Sequence, residues 1–428
     1  MSAEAPGSQE TVDDFRQRAR SWIQTNFRRL EPGESAGATL RALDEDAEQA
    51  IVSRSRVLQR QLFDAGLAGI CFPREYGGQG LTPAHQRALN EELVGYEFPA
   101  HIQVPTFSPC AAVLLDFGTE EQKLRHIPAI LKGEEIWMQF LSEPSGGSDV
   151  AAALTTAVRD DDEWVLNGSK IWTTGAWFAD WGLCLARTNW DVPKHRGLTV
   201  FILPIRQPGV DIHRIEMLNG NMEFCQEFLT DVVVPDSDRL GEVDAGWDVV
   251  TRWLYHERTI SGGSKYVTGQ GNQSSEGPYE PDVMVQLARS RGGWDQERTQ
   301  ELIGEARILS LVRSALVQSV TRKMQEGTLP HHAAAMLRLF SGMATTRRAT
   351  IAFELAGEEG VVWSPDERTD AQVALGYLVR QAACIGGGTT EMARNVISER
   401  LLGMPRERRA DADAFRDVPR GPGSIAPG

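Results

Sequence analysis

Apolar positions recur at helical spacing through the first third of the chain. Phe15, Ala19, Ile23 and Phe27 in "DDFRQRARSWIQTNF" fall on one side of an α-helix, because a helix turns once in about 3.6 residues. The stretch "AEQAIVSRSRVLQRQLFDAGLAGI" continues the same period. We therefore predict an N-terminal helical domain over residues 1–136.

The apolar pattern shortens after Ile136. Segments such as "WGLCLART", "LTVFILPI" and "EFLTDVVVP" are brief, rich in Val, Leu, Trp and Thr, and separated by Gly, Pro and Asn. This pattern is typical of β-strands. Asn167-Gly168 in "VLNGSKIW" indicates a hairpin turn. We predict a small antiparallel, barrel-like β domain over residues 137–246.

Helical spacing returns after Gly246 and is interrupted by the polar stretch "TGQGNQSSEGPYEPD". We predict a C-terminal four-helix bundle over residues 247–410. The end of the chain, "DVPRGPGSIAPG", lacks apolar periodicity and predicts a flexible tail over residues 411–428. The fold class is therefore α+β, with a β domain between two helical domains.

Composition and charge restrict the possible partners. The 428 residues carry a formal net charge of −15, which disfavours nucleic acid, because phosphate binding needs clustered Lys and Arg. No run approaches the roughly 18 apolar residues of a membrane span, and the N-terminus lacks a signal-peptide pattern, so we expect a cytoplasmic protein without membrane insertion. The five cysteines lie far apart and show no metal-ligand spacing, so no metal site is expected.

Five segments carry a recognisable combination. They are "GLAGICFPREYGGQGL", "FLSEPSGGSDV", "LNGSKIWTTGA", "VDIHRIEMLNGN" and "IGGGTTEMARNVISERLLG". In this order and spacing they resemble the acyl-CoA dehydrogenase family over about residues 12–406. The resemblance implies that the protein uses FAD to oxidise an acyl-CoA thioester to the trans-2-enoyl-CoA. It also implies an electron-transfer flavoprotein as the electron acceptor.

The segment "WMQFLSEPSGGSD" predicts a strand followed by two turns. Such turns present backbone amides and hydroxyls at a rim that can hold an acceptor-rich ligand, although they could also be ordinary surface turns. By resemblance, Gln139, Leu141 and Ser142 contact FAD. Ser148 matches the position that contacts the pantetheine arm of CoA.

The segment "KIWTTG" supplies a second wall of the site in the family. By resemblance, Trp172 stacks beside the flavin ring and Thr174 offers a hydroxyl near the flavin N5 atom. A Trp in a β domain can alternatively be a core residue. We expect Trp172 to be a cofactor wall because it directly follows the Asn-Gly-Ser-Lys-Ile run of the family pattern.

The segment "GGGTTEMARN" predicts a helix N-terminus after a run of glycines. Thr390 is the expected cap, and the amides beside it favour an anion such as a diphosphate. By resemblance, Thr389, Thr390 and Glu391 contact the diphosphate and ribose region of FAD.

The reaction needs a base for a weakly acidic α proton, usually a Glu whose pKa is raised by burial. Many family members place this Glu directly before the Gly-Thr pair of the C-terminal loop, where this chain has Gly387. By resemblance, the amide of Gly387 can still polarise the thioester carbonyl. The catalytic carboxylate must come from elsewhere.

Other members carry the base on the first C-terminal helix, directly before an Arg, and this chain has Glu257-Arg258 there. Helical spacing places Glu257 on an apolar stripe with Val250 and Leu254, and His256 on the opposite face. Glu257 could alternatively form a buried ion pair with an Arg. We expect Glu257 to be the base, and by resemblance Arg258 shapes the acyl or CoA pocket.

Two departures concern contacts between subunits. The family's Arg followed by Phe-Gly is missing from the region "TGQGNQSSEGPYEPDVMVQLARSRGGWDQERTQ", and Glu354 stands where a Gln is usual. A carboxylate there would repel a diphosphate. The chain is therefore either a homo-oligomer, as a dimer or tetramer, or the base-carrying subunit of an α2β2 enzyme.

Two other functions remain compatible with the sequence. One is a flavin-dependent monooxygenase or nitroalkane-type oxidase on the same fold. The other is a subunit that is active only with a partner chain. Glu257 and Ser148 favour the dehydrogenase.

Overall fold

A computed structural model describes residues 10–31, 44–260, 264–269, 279–361, 369–406 and 411–418. The first part of the chain is helical, as predicted. Its helices are α1 (Val12–Asn26), α2 (Glu45–Asp64), α3 (Pro83–Glu92), α4 (Ala100–Gln103), α5 (Ala112–Phe117) and α6 (Glu120–Lys132). Helix α1 buries Phe15, Ala19 and Ile23 on the stripe that the sequence indicates.

The middle of the chain forms one eight-stranded sheet. Its strands are β1 (Trp137–Phe140), β2 (Thr156–Asp160), β3 (Glu163–Thr174), β4 (Trp181–Arg187), β5 (Leu198–Pro204), β6 (Val210–Ile215), β7 (Phe224–Pro235) and β8 (Arg239–Leu240). The hydrogen-bonded order is β6-β7-β3-β2-β4-β5-β8, with β1 also on β4. Strands β1 and β2 run parallel to β4, so the prediction of a purely antiparallel sheet is wrong.

The predicted hairpin turn at Asn167-Gly168 is also wrong. Strand β3 continues through both residues, and the hairpin to β2 closes instead after Asp160, before Glu163. Gly168 lies at an irregularity in the pairing of β3 with β7, where a Cβ atom would lie 2.6 Å from the hydroxyl of Thr155. The glycine therefore permits a close approach within the sheet, and pairing with two neighbouring strands overrides the local turn preference.

The C-terminal part is helical, with more helices than the four predicted. They are α7 (Gly246–Ile260), α8 (Pro281–Ser290), α9 (Glu297–Gln325), α10 (Ala334–Ala356), α11 (Thr369–Val379) and α12 (Thr390–Val396). Gly292-Gly293 separate α8 from α9. Residues 270–278 of the polar interruption lie outside the described residues. Within the described ranges, no helix combines the length and the apolar content needed to cross a bilayer.

Residues 411–418 pack against the β domain, although the sequence predicts a flexible tail there. Phe415 is 1 % exposed, stacks on Trp190 with ring centroids 5.5 Å apart, and lies under the guanidinium of Arg187 at 3.8 Å. Its backbone N–H donates to Val192 O at 2.9 Å. One buried aromatic ring thus holds this segment in place. The rest of the predicted tail, residues 419–428, lies outside the described residues.

Glu227 on β7 is a buried carboxyl that lies opposite Lys170 of β3. Burial raises its pKa to about 7, although the Thr173 hydroxyl, which donates to Oε2 at 2.9 Å, and the charge of Lys170 act in the other direction. Oε1 has no hydrogen-bond partner in the described part of the chain. The folded protein therefore keeps this proton to a higher pH than the unfolded chain does.

This proton makes stability depend on pH. Between about pH 4.5 and 7 the unfolded chain loses the Glu227 proton while the folded protein holds it, so the free energy of unfolding falls as the pH rises. We expect Glu227→Gln to raise the free energy of unfolding at pH 8 by about 1–3 kcal/mol and to flatten this slope. Urea unfolding of both proteins at pH 5 and pH 8 measures the effect. Glu163→Gln, an exposed change in the same sheet, should alter neither value, and an equal slope in wild type and Glu227→Gln would contradict the prediction.

Candidate active site

A cavity of about 380 Å³ lies where the sheet meets the C-terminal helices. It brings together six residues that the sequence predicts as site residues, namely Gln139 from β1, Trp172 and Thr174 from β3, Glu257 and Arg258 from α7, and Gly387 from the loop before α12. These positions are distant in the chain. Their convergence in one cavity is a property of the tertiary fold.

Gln139 is held by hydrogen bonds to both its side chain and its backbone. Its side-chain oxygen accepts from the indole N–H of Trp253, and its backbone carbonyl accepts from the Thr173 hydroxyl at 3.2 Å. Trp253 is fully buried on α7. The contact therefore ties the floor of the cavity to the helix that carries Glu257.

The turns after β1 lie beside this cavity and do not line it. The carbonyl of Ser142 accepts from Ile171 N at 2.9 Å, Leu141 packs on the core, and Ser148 is exposed. Glu143 anchors the turns, since its carboxylate accepts from the backbone N–H groups of Leu154 and Thr155 at 2.6 and 2.9 Å. The exposed side chain of Ser148 is thus accessible to a ligand.

Trp172 has an unusual backbone conformation and an unusual exposure. Its φ is +67°, a left-handed value that non-glycine residues rarely adopt, and its side chain is 54 % exposed. It meets Phe224 edge-on at 6.0 Å. Strained residues of this kind concentrate at functional sites. The indole is therefore a cavity wall and not a core residue.

Glu257 reaches the cavity from α7. Its carboxylate makes no hydrogen bond or ion pair with any residue that the structure describes, so the alternative of a buried ion pair is not observed. Burial raises the pKa of this carboxyl, and the charges of Arg258 and Arg338 lower it by a smaller amount. An unpaired, desolvated carboxyl with a raised pKa is a stronger base than an ordinary carboxylate.

The buried face of α7 differs from the predicted stripe. Trp253 and His256 are buried with Val250, and His256 Nε2 lies 2.7 Å from Asp116 Oδ2. His256 does not line the cavity with Glu257, and it is buried beside Asp116. Helix α7 has protein on both sides, because the core covers the His256 side and the cavity wall lies on the Glu257 side.

Gly387 faces Glu257 across the cavity. A Cβ atom on Gly387 would lie 3.6 Å from Glu257 Oε1, and the φ of Gly387 is +69°. Gly388 is also left-handed, at +92°, with open space where a side chain would be. The glycine run therefore provides a wall of backbone and leaves room above the carboxylate.

The helix cap differs by one residue from the prediction. Thr389, not Thr390, is the N-cap of α12, and its hydroxyl oxygen accepts from Met392 N at 3.1 Å. Thr390 is buried, and its hydroxyl donates to Glu391 Oε2 at 3.1 Å. Thr389, Thr390 and Glu391 follow the glycine wall and do not line the cavity.

Sequence reasoning missed Arg338 on α10. It lines the cavity, and its Nε donates to the carbonyl of Gly388 at 2.8 Å. The available signal was a single Arg within the otherwise apolar run "AAAMLRLF". Such a residue needs a specific partner when its helix packs.

Three domain models of one known protein family match most of the chain. The N-terminal, middle and C-terminal domains of acyl-CoA dehydrogenase match residues 10–134, 139–232 and 244–402. The acyl-CoA dehydrogenase IpdE1 of Mycobacterium tuberculosis is 32% identical over 402 residues, which are 93% of this chain and 99% of that protein. The chain belongs to the acyl-CoA dehydrogenase family.

Solved structures of this family share the fold. The Tcur3481-Tcur3483 steroid ACAD matches with a TM-score of 0.73 and 25% identity over 95% of this chain and 100% of that one. A chain of the ChsE4-ChsE5 complex from Mycobacterium tuberculosis matches with a TM-score of 0.69 and 26% identity, with the same coverage. The second of these structures is a complex of two named proteins.

This acyl-CoA dehydrogenase is an oxidoreductase, and its cofactor is FAD. The residues present fit a flavin. Trp172 offers an exposed ring, Thr174 an exposed hydroxyl beside it, and Gly386–Gly388 a wall without side chains. Such a cradle admits a flat heteroaromatic ring and offers backbone donors to it.

Trp172 yields a prediction that separates cofactor binding from folding. Because the indole is exposed, Trp172→Ala should change the melting temperature of the flavin-free protein little, yet weaken FAD binding about tenfold through lost stacking. Titration of the flavin-free protein with FAD and a thermal melt measure the two effects. Trp172→Phe keeps an aromatic ring and should bind FAD more tightly than Trp172→Ala. Unchanged FAD affinity in Trp172→Ala would contradict the assignment.

Proposed function

We propose that the protein oxidises an acyl-CoA thioester to the trans-2-enoyl-CoA, with Glu257 removing the α proton. The observation that carries this proposal is the unpaired carboxylate of Glu257 facing the Gly387 backbone in the cavity. FAD, when bound, supplies the acceptor for the hydride that leaves the β carbon. The remaining steps depend on groups of this chain.

Glu257 acts as a base because its surroundings favour neutralisation of its charge. Desolvation raises the pKa of the carboxyl, which brings its proton affinity closer to that of a weakly acidic α carbon. The positive charges of Arg258 and Arg338 act in the opposite direction and favour the ionised form of the carboxyl. A carboxylate in such surroundings is both available and sufficiently basic.

Gly387 contributes its backbone. Its N–H donates to the thioester carbonyl oxygen, which stabilises the negative charge that develops when the α proton leaves. A side chain at this position would occupy the space between the loop and Glu257. In this proposal Gly387 therefore acts as an amide donor that keeps the path from base to substrate open.

The other predicted residues bind and orient. Trp172, Thr174 and Gln139 hold the flavin ring, with Leu141 and Ser142 on the strand and turn beside it. Thr389, Thr390 and Glu391 lie near the diphosphate and ribose. Ser148 contacts the pantetheine arm, and Arg258 shapes the acyl or CoA pocket. Reduced flavin is reoxidised by an electron-transfer flavoprotein.

The proposal is tested by anaerobic titration of the purified flavoprotein with short, branched, long and steroid acyl-CoAs. Bleaching of the flavin absorbance by one of them, with formation of the enoyl-CoA, is the expected result. The similarity to the Tcur3481-Tcur3483 steroid ACAD makes ring-bearing acyl-CoAs the first to try. An oxidised flavin spectrum after every acyl-CoA, with reduction by a nitroalkane or turnover only with O₂, would favour the oxidase or monooxygenase.

A second chain of the same fold is part of the proposal. Ile308, Leu311 and Val312 on α9 are exposed by 61, 58 and 43 %, an apolar face of the kind that partners cover. Glu354, at the usual Gln position, pairs with Arg298 of α9 at 3.3 Å. Stoichiometric FAD and turnover in the chain expressed alone would exclude the obligate α2β2 enzyme. Both properties appearing only after co-expression with a related chain would establish the α2β2 enzyme.

A further inference from the structure

The guanidinium of Arg338, on helix α10, hydrogen-bonds to backbone carbonyls on both sides of Gly387. Its Nε donates to Gly388 O at 2.8 Å, and its Nη1 donates to Ala383 O at 2.6 Å. The two carbonyls belong to residues on either side of Gly387, which lines the cavity. One planar cation therefore fixes the loop at two points, a geometry that a guanidinium provides and an ammonium does not.

Helix α10 also lacks a side chain where the loop comes closest. A Cβ atom on Gly342, one turn after Arg338, would lie 2.7 Å from Ala383 O and 3.2 Å from the methyl group of Thr390. The loop thus rests directly on the helix backbone. Arg338 and Gly342 together define how far the loop stands from Glu257.

Arg338 also supplies charge next to the carboxylate. Its third nitrogen, Nη2, is buried and has no hydrogen-bond partner among the described residues. A Cβ atom on Gly387 would lie 3.9 Å from Arg338 Nε and 3.6 Å from Glu257 Oε1, so cation and carboxylate flank the same glycine. The arrangement places a positive charge beside an unpaired acid.

The charged and titratable groups around Glu257 are few. Arg258 lies on the same helix, Arg338 faces it from α10, and the Cys110 thiol faces it from the buried segment Thr106–Ala111. The glycine loop adds no charge. Burial raises the pKa of Glu257 and the two arginines oppose this, with Arg338 the one that comes from another element.

We propose that Arg338 is a positioning residue that both holds the Gly387 amide in place and favours the ionised form of Glu257. This inference rests on the proposed role of Glu257 as the base. It assigns two effects to one side chain. The guanidinium group hydrogen-bonds to two loop carbonyls, and its positive charge acts on Glu257. These two properties can be removed separately. Two substitutions separate them.

Arg338→Lys keeps the positive charge but loses the paired hydrogen bonds of the guanidinium, whereas Arg338→Gln loses both. The first readout is hydrogen–deuterium exchange of the peptide covering residues 383–389 in the purified protein without substrate. Loss of charge-assisted hydrogen bonds should speed exchange of the loop amides about tenfold or more in both variants. Arg347→Gln, on the same helix, removes an ion pair to Glu305 at the surface and should leave this exchange unchanged.

The second readout is the pH profile of flavin reduction by a saturating acyl-CoA. The base acts as a carboxylate, so the rate rises with pH through the pKa of Glu257. Without the cation, Arg338→Gln should move this rise to higher pH by about one unit, since an opposite charge nearby favours ionisation. Arg338→Lys should keep the rise in place and lower the plateau, because only the positioning of the loop is lost.

The two readouts together decide the proposal. Faster loop exchange in both variants, with a displaced pH profile in Arg338→Gln alone, supports it. Unchanged exchange, or the same pH profile in both variants, overturns it. A wild-type protein whose flavin no acyl-CoA reduces would instead refute the proposed function, and the exchange of the loop would still decide whether Arg338 holds it.

Discussion

Replacing Glu257 with Gln should lower the rate of flavin reduction by acyl-CoA by about 10²-fold or more. Gln has nearly the shape of Glu, but it cannot accept the α proton. The carboxylate has no ion pair or hydrogen bond among the described residues, so its removal breaks no structural contact there. FAD content and melting temperature should therefore stay close to those of the wild type.

The measurement is stopped-flow reduction of the flavin under anaerobic conditions with a substrate that bleaches the wild type. Binding of the enoyl-CoA product, followed by the change in the flavin spectrum, should persist in Glu257→Gln. Glu301→Gln, an exposed Glu on α9, is the matched control and should react like the wild type. A wild-type rate in Glu257→Gln would show that another group is the base.

Replacing Lys170 with Met should lower the free energy of unfolding by about 3 to 5 kcal/mol. Lys170 is fully buried, and its Nζ lies 2.8 Å from Glu143 Oε1. Burial by itself would raise the pKa of Glu143, but Lys170 and hydrogen bonds from Thr155 and Leu154 hold it below its ordinary value. Met fills a similar volume and leaves a buried carboxylate without its counter-ion.

The same variant should weaken FAD binding. Lys170 also donates to the carbonyl of Leu141 at 3.4 Å, so it joins β3 to the turn that follows β1. The double variant Lys170→Met/Glu143→Gln should be less destabilised than Lys170→Met, because the unpaired charge is gone. Arg60→Met, which removes exposed pairs to Asp64 and Glu134, should change stability by about 1 kcal/mol or less. Chemical denaturation of the four proteins tests this order, and a Lys170→Met protein as stable as Arg60→Met would contradict it.

The periodicity of apolar residues predicts the order of helices and strands well. Phe15 and Ile23 are buried as the helical period requires, and the short apolar segments after Ile136 become strands. These features depend on local spacing and on the burial of one face. They require no knowledge of which element packs on which.

Features that depend on tertiary partners could not be predicted in this way. Asn167-Gly168 has the composition of a turn, yet strands on both sides extend β3 through it. His256 is a polar residue of a type often found at the surface, yet it pairs with Asp116 of another helix. Arg338 carries no local signal of its contacts, because its acceptors are backbone carbonyls more than forty residues away.

The prediction of the site residues depends on the family motifs more than on the spacing or burial of the residues themselves. Glu257, Gly387 and Trp172 line one cavity, and each is identified as a site residue by its position in a family motif. The left-handed backbone of Trp172 and the missing ion pair of Glu257 are visible only in three dimensions. These two features give the motif a physical reason, since one exposes an aromatic ring and the other leaves a carboxylate without a partner among the described residues.

The packing of Phe415 has a consequence for how the chain acquires its structure during synthesis. Trp190 and Arg187 leave the ribosome long before Phe415, because translation proceeds from the N-terminus. The middle domain therefore emerges with Trp190 uncovered until Phe415 has been synthesised. A chain that lacked Phe415 would keep this aromatic surface exposed to solvent.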